Sequence, residues 1–142
     1  MLFEGDIEFS ASNPTAPPLL EVNIPVGLGF RDNPGEIVNR SVVEDSAGDL
    51  AGLEVLPEKN LTLVGGDINF EAGEATARGG NIQLGGLFAA GTVGISDDGS
   101  LNFPEAVARG DINLSNGADV DVSGTGGGSI TVNARNLNLE AG

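Results

Sequence analysis

Apolar and polar positions in this 142-residue chain alternate in short bursts rather than in long stripes. From residue 61 onward one unit recurs, apolar–polar–apolar: Leu61-Thr62-Leu63, Ile68-Asn69-Phe70, Ile82-Gln83-Leu84, Val93-Gly94-Ile95, Leu101-Asn102-Phe103, Ile112-Asn113-Leu114, Val120-Asp121-Val122, Ile130-Thr131-Val132 and Leu137-Asn138-Leu139. Successive side chains of a strand point to opposite faces, so each triplet predicts a short strand with one buried face. No 3.6-residue stripe persists, and Gly and β-branched residues dominate, which argues against helices. Gly, Asn, Asp or Ser bound the triplets and supply turns. The pairs Gly65-Gly66, Gly79-Gly80, Gly85-Gly86 and Gly126-Gly127 suit tight corners with positive φ.

Strands of about three residues are too short for an ordinary sandwich, and their spacing carries more information. Taken alternately, triplets starting at 61, 82, 101, 120 and 137 lie 21, 19, 19 and 17 residues apart, and those starting at 68, 93, 112 and 130 lie 25, 19 and 18 apart. A period near 19 with two triplets per period predicts an all-β solenoid, a right-handed parallel β-helix with about 19 residues per coil and all nine triplets pairing in parallel. The flanking apolar residues then fill a narrow core. The middle residues Asn69, Gln83, Asn102, Asn113, Asp121, Thr131 and Asn138 face outward, where stacked Asn and Thr can form ladders. Repeats this short are stabilised by stacking on their neighbours.

The first part of the chain is less regular. Ile7-Glu8-Phe9 and Val22-Asn23-Ile24 predict further coil strands, and Asn13 to Pro18 a loop, because Pro cannot donate to a ladder. Asn33-Pro34-Gly35 predicts a turn and Glu44 to Gly52 a polar excursion. The expected division is 1–49, irregular coils and loops, and 50–142, regular coils. Leu137 to Gly142 shows no polar cap, and Met1-Leu2-Phe3 enters without a covering helix, so the isolated chain is expected to associate end to end.

Composition narrows the function. A net charge of −15 repels nucleic acid and anionic lipid, so neither is an expected partner, and it opposes self-association at low salt. With no Cys and no His, the chain has no disulfide or thiolate site and lacks the commonest general base and metal ligand. No window is apolar enough to cross a membrane as a helix. Met1-Leu2-Phe3-Glu4 lacks the basic start and apolar stretch of a signal peptide, so if a parent protein is exported its signal is expected upstream.

Three motifs invite a chemical reading. Arg109-Gly110-Asp111 matches an adhesion tripeptide, but it runs directly into a strand rather than into a flexible loop. Asp119 and Asp121, before the Gly-rich stretch 124–128, suggest a calcium turn, yet they flank Val120 on a solvated strand face. Asp97-Asp98 could supply paired carboxylates for glycoside chemistry, but Ser96-Asp97-Asp98-Gly99-Ser100 is a sequence of turn residues. Asn39-Arg40-Ser41 and Asn60-Leu61-Thr62 match the glycosylation sequon, a short pattern that by itself assigns no function. No catalytic, cofactor-binding or metal residue is assigned, no cofactor is expected, and the chain is not expected to be an enzyme.

The stretches Ile7-Glu8-Phe9-Ser10-Ala11-Ser12-Asn13-Pro14, Pro18 to Phe30 (with Pro25-Val26-Gly27-Leu28), Asn33-Pro34-Gly35-Glu36-Ile37-Val38-Asn39-Arg40-Ser41, Gly52-Leu53-Glu54-Val55 and Lys59 to Asp67 carry a resemblance. Over nearly its whole length the chain resembles the filamentous haemagglutinin family exoproteins of cyanobacteria, exported by two-partner secretion. The resemblance implies a β-helix that crosses the outer membrane unfolded through a dedicated β-barrel transporter and folds outside. It places residues 1–49 at the end of the secretion domain and 50–142 in the first coils beyond it. The Asn-Pro-Asn-Gly-Ile-type segments that open the family's secretion domain have no counterpart here, which implies that the transporter-recognition end is absent. The implied role is a structural and adhesive segment of a large secreted or surface-held adhesin. Its implied partners are the outer-membrane transporter and an unidentified cell-surface or glycan receptor. The alternatives are a β-helical carbohydrate-active enzyme, recognised by clustered carboxylates in a groove with an Arg, and an autotransporter passenger.

Overall fold

The computed structural model describes residues 2–3 and 25–141; the strands expected at Ile7-Glu8-Phe9 and Val22-Asn23-Ile24 and the loop from Asn13 to Pro18 lie outside them. The described residues form strands and turns without a helix. In chain order the strands are β1 (Leu2–Phe3), β2 (Pro25–Phe30), β3 (Ile37–Asn39), β4 (Leu53–Glu54), β5 (Leu61–Gly65), β6 (Ile68–Glu71) and β7 (Glu74–Thr76). They continue with β8 (Asn81–Gly86), β9 (Gly91–Ile95), β10 (Leu101–Asn102), β11 (Ile112–Ser115), β12 (Asp119–Asp121), β13 (Ser129–Asn133) and β14 (Leu137–Leu139).

Ten of these strands build three parallel sheets, in the orders β3-β6-β11-β14, β4-β7-β12 and β5-β8-β13. The order β3, β4, β5 is repeated by β6, β7, β8 and again by β11, β12, β13, so each group of three stacks strand for strand on the one before. Register is kept: Ile37, Ile68, Ile112 and Leu137 lie opposite one another, as do Leu61, Ile82 and Ile130. Because side chains alternate, this register sends like residues to the same face. Ile68, Phe70, Ala75, Ala77, Ile82, Leu84 and Ile112 form one buried core, flanked by half-buried Ile37, Leu61, Leu63, Leu114, Val120 and Val132. Each fully buried Ile, Leu or Phe contributes roughly 1.5–3 kcal/mol by leaving water.

The expected parallel pairing holds for seven of the nine triplets, and its register is corrected. Ile68 stacks on Ile112 rather than on Val93, Ile82 on Ile130 rather than on Leu101, and Leu137 on Ile112 rather than on Val120. The repeat is not 19 residues. Directly stacked partners are 21 apart for Leu61 and Ile82 and 22 apart for Leu53 and Ala75. The separation is 44 for Ile68 and Ile112, because residues 87–110 leave the stack between them; without those 24 residues it would be 20. The triplets Val93-Gly94-Ile95 and Leu101-Asn102-Phe103 lie in this excursion. Their strands β9 and β10 pair antiparallel through the turn Ser96 to Ser100, where Gly99 has φ 79°. An alternating triplet suits a stacked strand and a hairpin strand equally, so spacing alone merged the two.

Candidate recognition surface

The excursion builds a second layer outside the stack. β9 pairs with β2 as well as with β10, and β2 pairs with β1, giving an antiparallel sheet ordered β1-β2-β9-β10. Its apolar residues form a second core of Leu87, Val93 and Phe103, with Phe30, Val64, Leu101 and Val107 half-buried around them. Two residues of β8 seat the hairpin. Gly85 leaves a notch for the Phe103 ring, which a β-carbon at that position would strike. Gln83 takes the turn by its backbone: its Oε1 accepts from Leu101 N at 2.9 Å and its Nε2 donates to Gly99 O at 3.0 Å. Gln83 was expected to face solvent; it does point out of the stack, but the hairpin covers it, whereas its register partners Thr62 and Thr131 are exposed. The excursion leaves and rejoins at one place. Phe88 N donates to Ala108 O at 2.9 Å, and Gly86 lies against Gly110.

Arg109-Gly110-Asp111 sits at that junction, and none of its parts is free. Arg109 donates to the carbonyls of Val107 and Phe103, both at 3.3 Å, with its guanidinium 5.6 Å from the Phe103 ring. Gly110 is buried where a β-carbon would meet Asp67 Oδ1 at 2.8 Å. The Asp111 carboxylate accepts two bonds from Arg135, at 2.9 and 2.6 Å, and one from Asn136 at 2.9 Å. Arg135 holds that carboxyl below the usual Asp range, with Asn136 adding to the effect. An adhesion tripeptide needs both charges presented to a partner; here they tie the excursion to the stack.

The other acidic motifs are equally local. Asp98 accepts from Ser100 N at 2.9 Å and Oγ at 2.6 Å, and its carboxyl is lowered chiefly by the Ser100 hydroxyl; these bonds lie within the turn expected around Asp97-Asp98. Asp119 and Asp121 lie on β12, and Asp121 accepts from Ser123 N at 2.7 Å and Oγ at 2.9 Å, which lowers its pKa. The Glu44 to Gly52 excursion is a turn organised by Asp45, whose Oδ1 accepts from Ala47 N and Asp49 N, while Oδ2 receives Arg78 at 2.7 Å. Among the described residues no three acidic groups converge as a metal cage would require.

The most extended polar feature runs along the outer face of β3-β6-β11-β14. Asn69 Nδ2 donates to Glu36 Oε2 at 3.1 Å, Asn113 Nδ2 to Asn69 Oδ1 at 2.7 Å, and Asn138 Nδ2 to Asn113 Oδ1 at 2.7 Å. The ladder expected from the middle residues therefore exists, but on this one sheet. Beside it lies an open groove of about 290 Å³ lined by Asn69, Glu71, Asn113, Ser115, Asn116 and Glu140, among others. Its lining has two carboxylates and no Arg, Lys or aromatic ring to hold a sugar between them. Gln83, Gly85 and Phe103 are the residues that sequence reasoning missed. The available signal was the Gly85-Gly86 pair, which interrupts the apolar pattern of β8 facing an aromatic triplet downstream.

The TPS secretion domain family model matches residues 2–132, which takes in the outer antiparallel sheet and the stacked sheets except β14 and the last residue of β13. No curated protein and no solved structure matches the chain.

Proposed function

This chain belongs to the TPS secretion domain family, the exoproteins of two-partner secretion, and from that premise we propose that it is a segment of a filamentous-haemagglutinin-type adhesin of the cyanobacterial kind. Membership implies a two-partner secretion transporter as partner and passage through the outer membrane. In this reading the segment is a right-handed parallel β-helix that serves as a stalk, holding adhesive regions away from the cell, and it performs no catalysis. The observation that carries the reading is the repeated order of three parallel, in-register strands within a family-matched span. Parallel strands joined by crossovers are right-handed in about 98% of cases, which supports the handedness. A stack in which each group of strands is templated by the previous one suits a chain that emerges progressively from a pore. The absence of Cys suits it too, since no premature disulfide can obstruct threading.

The test is secretion of the parent exoprotein co-expressed with its transporter. Removal of residues 25–132 should leave the parent in the periplasm, and removal of the transporter should do the same to the intact parent. Cells displaying the secreted parent should then attach to glycan-coated surfaces more than transporter-deficient cells do. Unimpaired export of the deletion variant would contradict the secretion role; export without attachment would contradict the adhesin.

A further inference from the structure

Asn116 is the one asparagine in the chain that a glycine follows; every other is followed by Ala, Arg, Leu, Ile, Phe or Pro. The pair Asn116-Gly117 forms the corner between β11 and β12. Asn116 has φ 57° and Gly117 φ 77°, and Ala118 N donates to Ser115 O at 3.1 Å across them. This is a two-residue turn that requires positive φ at both central positions, which Asn and Gly adopt more readily than other residues. The pair selected for its backbone also carries a reactive combination. Bonding Gly117 N to Asn116 Cγ closes a five-membered ring, and the glycine has no side chain to shield its nitrogen.

The fold leaves both groups accessible. Asn116 and Gly117 are exposed, and a β-carbon at Gly117 would meet nothing within 4 Å. Among the described residues no group accepts from Gly117 N and none holds the Asn116 side-chain amide, whereas Asn69, Asn113 and Asn138 are tied into the ladder. A single backbone bond closes the turn, so it can open locally while the stacked strands stay paired. Two neighbours in kind lack the same chemistry. Asn33 also has positive φ, at 54°, but Pro34 after it has no N–H to give up. Asp98 precedes Gly99, but its carboxylate accepts from Ser100 N and Oγ and is held ionised, which makes its carbon a poor target for a nucleophile.

We propose that Asn116 is a site of spontaneous deamidation, with water as the only co-reactant. Gly117 N loses its proton to hydroxide and attacks Asn116 Cγ. The new N–Cγ bond forms, the Cγ–Nδ2 bond breaks, and the side-chain nitrogen leaves as ammonia. Water then opens the cyclic imide at one of its two carbonyls. Opening at Cγ gives aspartate; opening at the backbone carbon gives isoaspartate, with the chain rerouted through Cβ and Cγ. One water is consumed, one ammonia is released, and nothing is oxidised or reduced. Either product adds a negative charge to the groove that Asn116 lines with Glu71 and Glu140. Isoaspartate also lengthens the backbone of the corner by one methylene, which the bond from Ala118 N to Ser115 O does not accommodate. This chemistry needs only the turn and water, and it is independent of the adhesin reading.

The full chain is incubated folded and in urea, at neutral and at mildly alkaline pH, then digested and mapped by mass spectrometry with fragmentation that tells isoaspartate from aspartate. In the folded chain Asn116 should convert ahead of every other asparagine, and the rate should rise with pH because Gly117 N must lose its proton. Gly117→Ala should slow conversion by about tenfold or more, the rate factor of a small added barrier. Asn116→Gln, whose longer side chain closes a six-membered ring, should be slowed as well, a check that does not depend on how the turn tolerates Ala at φ 77°. An Asn116 that stays intact in the folded chain, whether or not it converts in urea, would overturn the proposal. Equal conversion at Asn33 or at a ladder asparagine, or a rate unchanged in both variants, would overturn it as well.

Discussion

The contact between Gly85 and Phe103 gives the sharpest quantitative prediction, because it joins two layers through a missing side chain. In Gly85→Ala the new β-carbon strikes the tip of the Phe103 ring. Gly85 is not among the positive-φ residues, so backbone strain does not contribute and the cost is steric. Overpacking of this kind costs roughly 1–3 kcal/mol. Phe103→Ala should cost about 3 kcal/mol, since the ring is only 8% exposed and packs with Leu87 and Val93. The double variant separates mechanism from coincidence. Once the ring is gone, the methyl introduced by Gly85→Ala has room, and alanine loses less backbone entropy than glycine, an effect worth roughly 0.5–1 kcal/mol. Gly85→Ala should then be neutral or slightly stabilising in the Phe103→Ala background, giving a coupling energy of about 1–3 kcal/mol. Urea unfolding of the four proteins measures it from midpoints at constant slope. If Gly85→Ala costs the same with and without the ring, the hairpin does not sit in the Gly85 notch and the two-layer description fails.

Other outcomes follow from the same structure. Ile112→Ala, at the centre of the core, should destabilise by roughly 2–5 kcal/mol, and Leu139→Ala, 69% exposed, by less than about 0.5 kcal/mol in the same urea assay. The carboxyls of Asp45, Asp98, Asp111 and Asp121 are all lowered in the fold. The unfolded chain therefore takes up protons first, and the stability these groups contribute is complete above the usual Asp value of about 4 and is lost as pH falls through their folded values. Asp111→Asn should flatten part of that acid limb in melts run from pH 7 downward; an unchanged slope would show that Arg135 does not hold Asp111 in solution. Millimolar Ca²⁺ followed by chelator should leave the melting temperature within about 1 °C, and a reversible rise of several degrees would mean that Asp119 and Asp121 bind the ion.

The alternation of single residues was informative because burial acts on single residues: Ile68, Phe70, Ile82, Leu84 and Ile112 had to face a core for any of these strands to persist. The outward Asn column was legible for the same reason. Register was not, because a triplet records which face is buried and nothing about which strand lies beside it. Val93 and Leu101 satisfy the pattern as fully as Ile82 does, yet they pack their side chains in the outer core. The Gly pairs were read as corners, and Gly79, Gly126 and Gly127 do have positive φ; Gly65, Gly66, Gly80, Gly85 and Gly86 are instead places where neighbouring strands or the hairpin approach too closely for a β-carbon to fit freely. Arg109-Gly110-Asp111 shows the limit of motif reading. Its role was set by Arg135, Asn136 and Asp67, which are distant in sequence and adjacent only after folding.

The central claim is that like triplets stack in parallel with residues 87–110 set aside, and paired cysteines test it directly in a chain that has none of its own. Asn69 and Asn113 are register partners on adjacent parallel strands, a separation compatible with a disulfide. An uninterrupted stack would instead place Gly94 beside Asn69. Two full-length variants, Asn69→Cys with Asn113→Cys and Asn69→Cys with Gly94→Cys, are oxidised under native conditions and read by mass spectrometry after digestion. The structure predicts an intramolecular disulfide in the first and free thiols in the second; a disulfide in the second and none in the first would contradict it.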